Sequence, residues 1–340
     1  MHDSNKLHTF AAALLLVPLG LPAALSFHPE EDTVLSKEFT IEAAFELDDM
    51  SVLVNGQDMS DGVDLGDFDM QASVTALLSD EYVSVEDGRP LELLRRFDEV
   101  SMEYDTNGEQ GSENAEDIEG VAVVFKWNDD TEGYDVDFAE DSESADESVL
   151  EGLMEDMDFR GLLPAGDAEQ GDSWDVESDT IVGLMFPGMQ LSHILSMAQD
   201  SGDGIPEGIL EQLEDLHEGL EMTCEYTGVR DVDGVSAGVI QITMEGSSAL
   251  DLSAVLGDAM ELPEGADSNI EEATLGVSLE GEGELLWNVE AGHMLSFELE
   301  SELELELNAV AAVEVQGNSL DVEGSIALLG EISWSAALTE

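Results

Sequence analysis

The sequence predicts a mainly β fold: a long, curved antiparallel meander of about eleven strands, half-barrel or barrel-like, with about three short helices in the middle of the chain. Three observations predict it. Apolar and acidic residues alternate over residues 273–338, the same alternation recurs in the N-terminal half, and 43% of the residues are apolar although the formal net charge is −73. The apolar content can supply a core, so the excess of acid does not indicate disorder.

Residues 1–26 have the organisation of a secretory signal peptide. Lys6 precedes an uncharged, mostly apolar run, Thr9–Phe27. Ala24 and Ser26 place small residues at positions −3 and −1 of a cleavage site after Ser26. The run is at the short limit for crossing a bilayer and contains two prolines, so cleavage is favoured over an uncleaved anchor. We therefore expect an exported protein, periplasmic or extracellular.

Residues 27–145 are predicted to form the N-terminal antiparallel β half. Two stripes of alternating apolar residues, Phe39–Leu47 and Phe68–Leu78, are typical of strands with one dry face. Asn128–Gly133 is expected to be a hairpin turn, and Asn107–Asp117 a solvated acidic loop. The remaining strands of this half are expected at Leu91–Tyr104, Val121–Trp127 and Tyr134–Phe138.

Residues 146–220 form a middle segment in which the apolar residues have helical spacing. The three stretches with this spacing are Val149–Met157, Leu191–Ala198 and Ile209–Leu220. Apolar residues three and four positions apart lie on one face of a helix, so each stretch predicts a short helix.

Residues 221–340 are predicted to form the C-terminal β half, which has long strands. From Phe297 to Val315 the odd-numbered residues are mainly apolar, and many of the even-numbered residues are glutamate. After a turn at Gly317 the apolar phase moves to the even-numbered residues of Leu320–Leu338. A strand places such residues on one face, whereas a helix would distribute them around its circumference.

Further alternation upstream completes this half. Ala273–Trp287 is another long segment, with a hairpin expected near Gly292. A shorter hairpin is expected where Met222–Arg230 and Val235–Met244 flank the turn at Asp231–Gly234. Segments of 15 to 19 residues would reach roughly 50–60 Å if they were flat. We therefore expect the sheet to curve strongly.

The acidic composition excludes several classes of partner. The chain has 81 Asp and Glu against 8 Lys and Arg, so it would repel nucleic acid and anionic membrane surfaces. The acid is spread along the whole chain, which is similar to salt-adapted proteins and favours that interpretation over a calcium buffer. The Asp-rich stretches Asp200–Gly204 and Asp231–Gly234 are accordingly interpreted as turns.

The cysteine and histidine residues show no catalytic or metal-binding pattern. Cys224 is the only cysteine, so an internal disulfide is excluded and a small buried side chain is expected. His28, His193, His217 and His293 lack the spacing of zinc ligands. We expect the side chain of His293 to be solvated in a hairpin turn. No metal ligand, cofactor or catalytic residue is assigned.

Two short motifs in the middle segment resemble known families. Asp156–Pro164 followed by Gly171–Trp174 is similar to the "LLP…GDSW" segment of uncharacterised exported β-rich bacterial proteins, which implies no catalytic residues. Gly171–Trp174 also resembles the nucleophile block of GDSL-type hydrolases, with Ser173 as nucleophile. That block stands mid-chain here without a late Asp-x-x-His, so a turn feeding a strand is favoured, with Trp174 in the core.

The predicted architecture is also similar to the half-barrel of periplasmic lipoprotein carriers. In those proteins a concave sheet face holds acyl chains, so the resemblance implies an apolar or lipid-like ligand. Arg95 and Arg96, two of the eight basic residues, are interpreted as internal counter-ions that pair with carboxylates. The alternative role for them is contact with an anionic head group or carboxylate at a cavity mouth, which makes them the candidate ligand-binding residues.

We therefore expect a non-enzymatic, exported binding or carrier-like protein with an apolar sheet face and an unspecified ligand. The alternative is an acidic structural or surface-associated protein of a salt-adapted bacterium, with weak divalent-cation binding. A hydrolase is the weakest alternative. The sequence does not specify the oligomeric state.

Overall fold

The computed structural model describes residues 25–60, 68–114, 118–140, 142, 146–185, 188, 219–253, 266–315 and 318–339. Thirteen strands in this part of the chain form one sheet, and every strand pairing in it is antiparallel. The prediction of a mainly β, antiparallel fold is therefore confirmed.

The strands divide between the two halves of the chain. The N-terminal half contributes β1 (Thr33–Val54), β2 (Gln57–Asp58), β3 (Asp69–Glu86), β4 (Arg89–Thr106), β5 (Glu109–Asn114), β6 (Ala122–Asn128) and β7 (Gly133–Phe138). The remainder contributes β8 (Ser173–Asp175), the helix α1 (Ser178–Met185), β9 (Leu220–Val232), β10 (Val235–Asp251), β11 (Ala266–Asn288), β12 (His293–Val315) and β13 (Asn318–Thr339).

The sheet consists of two meanders joined through the first and last long strands. Its order is β7-β6-β4-β3-β1-β13-β12-β11-β10-β9-β8, with β2 beside β1 and β5 beside β4. Strands β1 and β13 pair from Ser36 with Thr339 to Val54 with Val322. Strands β7 and β8 end the order, so the sheet is open.

Several strands are longer than predicted and are interrupted by bulges. Strands β11 and β12 each have 23 residues, and the β1–β13 register shifts between Leu47 and Asp49. The β11–β12 register shifts twice, next to Ile270 and next to Leu286. Because a bulge bends its strand and increases the local twist, these shifts let long strands follow a curved sheet.

One face of the sheet is apolar and largely buried, and the other face is acidic and exposed. The inner face carries buried residues such as Phe39, Phe297 and Trp334, whereas the outer face carries exposed glutamates such as Glu298 and Glu300. Neighbours along a strand point to opposite faces, so the alternation in the sequence becomes two surfaces of different polarity.

The segment between β7 and α1 packs on the inner face at one end of the sheet, called here the core end. Its residues Leu153, Met157, Phe159 and Leu162 belong to the same hydrophobic cluster as the inner-face residues of the strands. The ring of Phe159 lies 4.2 Å from the ring of Phe297, measured between centroids. This segment thus closes the core end of the sheet.

The three predicted helices are not supported. The first, Val149–Met157, is wrong: Glu147–Leu150 form a 3-10 turn, and Gly152 has a φ of +72°. The Met154 amide donates to the Gly188 carbonyl oxygen at 2.8 Å rather than to the carbonyl oxygen four residues before it, as it would in a helix. The second and most of the third lie outside the described residues, although Leu220 begins β9.

The helix that the structure does contain, α1, was not predicted. Its apolar residues Ile181 and Leu184 are buried in the main cluster. No helix in the described part of the chain is both long enough and apolar enough to cross a membrane.

The turn predictions are mostly confirmed, with one exception. Hairpin turns occur at Asn128–Gly133, at Asp231–Gly234 and near Gly292. The acidic stretch Asn107–Asp117 was expected to be a loop, but its residues Asn107–Asn114 belong to a hairpin. Asn107 and Gly108 form the turn with positive φ angles, and β5 pairs with β4. Such a two-residue turn fixes strand pairing without any apolar alternation.

Residues immediately before β1 are docked against the hairpin between β11 and β12. Leu25 and Phe27 are buried in the main cluster, and Trp287 Nε1 donates to the Ser26 carbonyl oxygen at 3.2 Å. The His28 amide donates to the Gly292 carbonyl oxygen at 2.9 Å. The boundary predicted for the signal peptide therefore falls inside a docked segment, and cleavage after Ser26 stays a prediction.

Candidate functional site

A cavity of about 1240 Å³ lies on the inner face, next to the core end. Seven strands contribute three consecutive residues each, namely 42–44, 71–73, 103–105, 110–112, 280–282, 300–302 and 331–333. Strands β5 and β11, which lie far apart in the strand order, thus line the same space. This arrangement shows that the inner face is concave.

The central residue of each triplet belongs to one continuous row of direct cross-strand partners, called here the small-residue row. Direct partners in an antiparallel ladder lie on the same face with their Cβ atoms close together. In order across the sheet the row is Gly111, Tyr104, Ala72, Ala43, Ile332, Ser301 and Gly281.

The cavity lies where five of the seven residues of this row are glycine, alanine or serine, whereas the flanking rows on the inner face carry mainly large residues. Toward the core end, the adjacent row is Met102, Val74, Ile41, Trp334 and Leu299. On the far side the adjacent row includes Met70, Phe45, Leu303 and Leu279. Rows on one face are about 6.8 Å apart along a strand, so alanine, serine and glycine between them leave the space unfilled.

Exposed apolar residues adjoin the cavity on strands β3 and β4. Val74 is 36% exposed, its direct partner Met102 is 40% exposed and Tyr104 is 38% exposed. All three lie on the inner face, where the corresponding residues of β12 and β13, such as Leu299 and Trp334, are buried. Exposed apolar residues that adjoin a cavity are typical of a binding surface.

Ser301 gives the cavity wall one polar group without a partner. The residue is 5% exposed, and its Oγ has no hydrogen-bond partner among the described residues. A Cβ placed on Gly281 would collide with this hydroxyl, so Ser301 Oγ lies over Gly281 within the small-residue row. An unsatisfied buried hydroxyl costs about 1–3 kcal/mol.

A buried cluster of ionisable residues ties the core-end segment to the sheet. Lys37 Nζ lies 2.9 Å from Asp80 Oδ2 and 3.0 Å from Asp158 Oδ1, and it donates to the Tyr82 hydroxyl at 2.8 Å. Tyr82 in turn donates to Asp158 Oδ2. Lys37, Asp80, Tyr82 and Asp158 are all buried, so the cluster satisfies its own charges.

The charge states of this cluster follow from its geometry. Burial alone would lower the pKa of Lys37, but the carboxylates of Asp158 and Asp80 outweigh it and raise that pKa. Burial alone would raise the pKa of Asp80, but Arg95 and Lys37 outweigh it and hold that pKa below its usual value. Both groups therefore stay charged at neutral pH.

Arg95 takes the counter-ion role that the sequence favoured. Its Nε and Nη2 donate to the two carboxylate oxygens of Asp80 at 2.7 and 2.9 Å. Its remaining donors bind the carbonyl oxygens of Met154 and Glu155. Arg96 follows it in β4, is half-buried, and pairs with Ser79 in the ladder. Neither arginine lines the cavity, and their alternative role as ligand contacts stays a prediction.

Glu155 is a buried acid whose pKa is raised well above its ordinary value. Its carboxylate contacts the guanidinium of Arg160, and Arg160 Nε lies 3.1 Å from Asp156 Oδ1. Burial raises the pKa of Glu155 to about 7, although Arg160 acts in the opposite direction. The group therefore changes charge near neutral pH.

The glutamates of the outer face form an ordered row of their own, called here the glutamate row. Glu221, Glu245, Glu280, Glu302 and Glu331 are direct partners across β9, β10, β11, β12 and β13. All five are exposed. Like charges directly opposite each other in a ladder repel, and salt screens that repulsion.

The hydrolase motif has the structure of a turn leading into a strand. Gly171 has a φ of +95°, Ser173 begins β8 and is exposed, and Trp174 Nε1 donates to the Leu162 carbonyl oxygen at 3.2 Å. His293 is buried, and its Nδ1 lies 2.7 Å from the Met294 carbonyl oxygen. The expectation that His293 is solvated was wrong, because the hairpin is covered rather than open to solvent.

Cys224 behaves as the small buried residue that was expected. It is fully buried, and burial raises its thiol pKa to about 12. Among the described residues no group of three or more His, Cys, Asp or Glu is placed to hold a metal ion. His193, His217 and Asp200–Gly204 lie outside the described residues.

The sequence alternation did not reveal the small-residue row. Ala43, Ala72 and Ser301 each occupy an inner-face position in their own stripe, but nothing in one stripe says which residue of another stripe is its partner. One clue is present in the sequence. Gly281 and Ser301 are small residues at inner-face positions of alternating stretches that are otherwise rich in leucine at those positions.

Comparisons with known proteins add little to this geometry. No family model matches the chain, and no curated protein matches it. Weak structural matches include OprG, an outer-membrane protein of Pseudomonas aeruginosa (7% identity, TM-score 0.20, covering 91% of this chain and 99% of that one). Another is OccD3 of the same organism (9% identity, TM-score 0.18, covering 95% and 98%). Likeness at this level supports no conclusion about fold or function.

Proposed function

We propose that this chain is an exported, non-enzymatic binding or carrier-like protein that holds an apolar ligand in the cavity of the inner face. The observation that carries the proposal is the small-residue row between two rows of mainly large apolar side chains, with the exposed apolar residues Val74, Met102 and Tyr104 beside the cavity. The volume of about 1240 Å³ is somewhat above the usual range for small-molecule sites, roughly 300–1,000 Å³.

The side chains at the inner-face positions of the cavity support an apolar ligand, although polar atoms make up most of the lining surface. The side chains that face the cavity are alanine, isoleucine, serine and tyrosine, with two glycines, whereas the glutamates of the lining triplets alternate with them and lie at outer-face positions. An apolar chain would gain roughly 25 cal/mol for each Å² that it removes from water.

Displacement of a fluorescent probe tests this proposal. N-phenyl-1-naphthylamine should gain fluorescence on binding to the purified protein in 1 M NaCl, and dodecane should displace it. Ala43→Leu places a larger apolar side chain in the small-residue row and should weaken probe binding at least about tenfold, or about 1.4 kcal/mol.

Ala337→Leu is the matched control for this test. Ala337 is an exposed outer-face residue of β13 that pairs with Glu38 and does not line the cavity, so its replacement should leave probe binding unchanged. Absence of probe binding to the wild-type protein, or equal effects of the two variants, would contradict the proposal.

A second candidate function is an acidic structural or surface-associated protein that condenses divalent cations weakly. The glutamate row favours it, because five carboxylates stand in direct register on one exposed face. On this proposal CaCl₂ would raise the melting temperature more than NaCl of equal ionic strength does, and the probe would not bind. Equal effects of the two salts would argue against it.

A further inference from the structure

We propose that the ligand of this cavity is a cationic amphiphile, whose ammonium group lies over the ring of Tyr104 and whose apolar chain lies along Val74 and Met102. The inference rests on the proposed binding function and adds the chemical class of the ligand. Two independent features carry it: an aromatic ring that is open to the cavity, and the sign of the charge carried by the cavity wall.

Tyr104 supplies the aromatic surface. Among the described residues that line the cavity it is the one aromatic residue. It stands in the small-residue row between Ala72 and Gly111, and a Cβ on Gly111 would collide with its ring, so the ring lies over that glycine. Because Tyr104 is nevertheless 38% exposed, part of the ring stays open to the cavity. A cation within about 6 Å of the centre of such a ring is attracted to its negative face.

The wall of the cavity carries charge of one sign. Eight of the lining residues are acidic, and none of the lysines and arginines in the described part of the chain is among them. The acidic residues occupy outer-face positions of a wall that is one sheet thick, so they act on the cavity through their electric field rather than by contact. A concave surface with charge of one sign attracts ions of the opposite sign. The eight residues are Glu42, Glu103, Asp105, Glu280, Glu282, Glu300, Glu302 and Glu331.

The cations of the protein lie elsewhere. Lys37, Arg95 and Arg160 contact carboxylates at the core end, and Lys126 and Arg230 pair with glutamates at other places in the sheet. A fatty-acid carboxylate in the cavity would therefore be desolvated without a cation in the wall, which is strongly unfavourable. An ammonium group in the same position would be stabilised by the field of the wall.

The apolar chain of the ligand has a surface next to Tyr104. Val74 and Met102 are direct partners in β3 and β4, and they are 36% and 40% exposed. Met102 precedes Tyr104 by two residues on the same face of β4, a distance of about 6.8 Å along the strand. An alkyl chain attached to an ammonium group over the ring would therefore reach both side chains, and it would gain from each Å² that it removes from water.

The test compares ligands that differ in the end group. N-phenyl-1-naphthylamine bound to the full-length protein at pH 8 would be displaced by dodecyltrimethylammonium, dodecane or dodecanoate. In 0.1 M NaCl we expect dodecyltrimethylammonium to act at a concentration at least about tenfold lower than dodecanoate does, and several-fold lower than dodecane does. In 1 M NaCl the advantage over dodecanoate should shrink, because the screening length falls from about 10 Å to about 3 Å.

Variants of Tyr104 test the contact with the ring. Tyr104→Leu should reduce the advantage of dodecyltrimethylammonium over dodecane at least about threefold, because leucine keeps the apolar surface and removes the aromatic face. Tyr104→Phe is the conservative control and should keep that advantage, since phenylalanine retains the ring. If Tyr104→Leu keeps the advantage of the cation, the inference is overturned while the proposed function stands.

Two double variants test the field of the wall. Glu280→Gln with Glu302→Gln removes two lining carboxylates and should reduce the advantage of the cation over dodecane roughly twofold in 0.1 M NaCl. Glu221→Gln with Glu245→Gln removes the same charge from the same glutamate row, at residues that do not line the cavity, and should reduce it less. Equal effects of the two double variants, or equal displacement by the ammonium and the carboxylate, would overturn the inference. If neither the probe nor dodecane binds the wild-type protein in either salt, the proposed function itself fails.

Discussion

At the scale of single residues, the buried cluster around Asp80 shows how an acidic chain uses its few cations. Asp80 receives Lys37 on one oxygen and a two-point contact from Arg95. A buried charge is tolerated only when it is paired and hydrogen-bonded. Lys37 and Arg95 therefore join β1, β3 and β4 to the core-end segment rather than neutralising the surface.

Replacing Asp80 should expose this dependence. Asp80→Asn removes the carboxylate that neutralises the buried cations of Lys37 and Arg95. We therefore expect the free energy of unfolding to fall by about 3–5 kcal/mol. Urea denaturation in 1 M NaCl measures it. The control is Glu92→Gln, which removes the exposed pair between Glu92 and Lys126 and should cost about 0–1 kcal/mol. Similar losses in the two variants would contradict the structural role of the cluster.

Glu155 gives the stability a pH dependence of known sign. Its pKa rises from 4.5 to about 7 in the folded protein, so between these values the folded state binds the proton more tightly than the unfolded state does. The contribution of Glu155 to the free energy of unfolding is fully present below about pH 4.5 and is lost as the pH rises through 7. The loss amounts to up to about 3 kcal/mol.

Comparison of Glu155→Gln with the wild type isolates this contribution. Because the variant does not titrate at this position, its free energy of unfolding should fall less between pH 5 and pH 8 than that of the wild type, measured at constant ionic strength. The exposed neighbour Glu151 supplies the control Glu151→Gln, which should follow the wild type. A parallel pH dependence in Glu155→Gln would refute the assignment.

At the scale of strands, the glutamate row places like charges directly opposite each other on five neighbouring strands. Glu302 has Glu280 and Glu331 as direct partners on its two sides. Glu302→Gln should therefore raise the free energy of unfolding in dilute buffer by about 0.2–1 kcal/mol. The gain should disappear in 1 M NaCl, where the screening length falls to about 3 Å.

Glu304→Gln provides the matched control for this strand. Glu304 is two residues farther along β12 on the same face, but its direct partners are Ser278 and Leu329. Its replacement should change the melting temperature in dilute buffer less than Glu302→Gln does. Equal gains in the two variants would show that net charge, rather than the register of the strands, sets the repulsion.

The segment before β1 contributes to the core next to the boundary predicted for the signal peptide. Leu25 is buried, and a Cβ on Gly238 would collide with its side chain, so Leu25 fills a space in the core. Loss of a buried leucine side chain costs about 2–5 kcal/mol. We therefore expect a chain that begins at Leu25 to be more stable, by about that amount, than one that begins at Phe27, as urea denaturation of the two purified chains would show.

The outcome that opposes this expectation is equally specific. A secreted chain that begins at Phe27 and melts at the same temperature as a chain that begins at Leu25 would show that the docking of Leu25 contributes nothing to stability. Phe27 would still be held by its ring contact with Tyr82, 5.5 Å between centroids.

The alternation of apolar and acidic residues predicted the long strands, because a strand that is buried on one face has apolar residues at every second position. Strands β12 and β13 were predicted on this ground, since leucine and glutamate in them are sorted by face. Strand β5 was missed because Glu109–Asn114 contains no apolar residue, and its pairing depends on the turn at Asn107. Val149–Met157 was misassigned because the Met154 amide donates to the Gly188 carbonyl oxygen, a tertiary contact that spacing does not record.

At the scale of the whole molecule, the cavity was beyond prediction because it depends on register between distant strands. Ala43 and Ser301 fall in one row only because each is a direct partner of Ile332 in β13. A shift of one residue in either pairing would move each side chain to the other face. Composition did predict the acidic outer face and the apolar inner face, since these depend on residue type alone.

The pairing of Ser36 with Thr339 has a consequence for how the chain is made. β13 is translated after all the other described strands, so the edge of β1 that pairs with β13 stays unpaired until β13 has been made. Contacts between such remote stretches form slowly. A ribosome that stalls before the final hairpin would release a chain with two long hydrogen-bonding edges uncovered, the kind of species that chaperones retain.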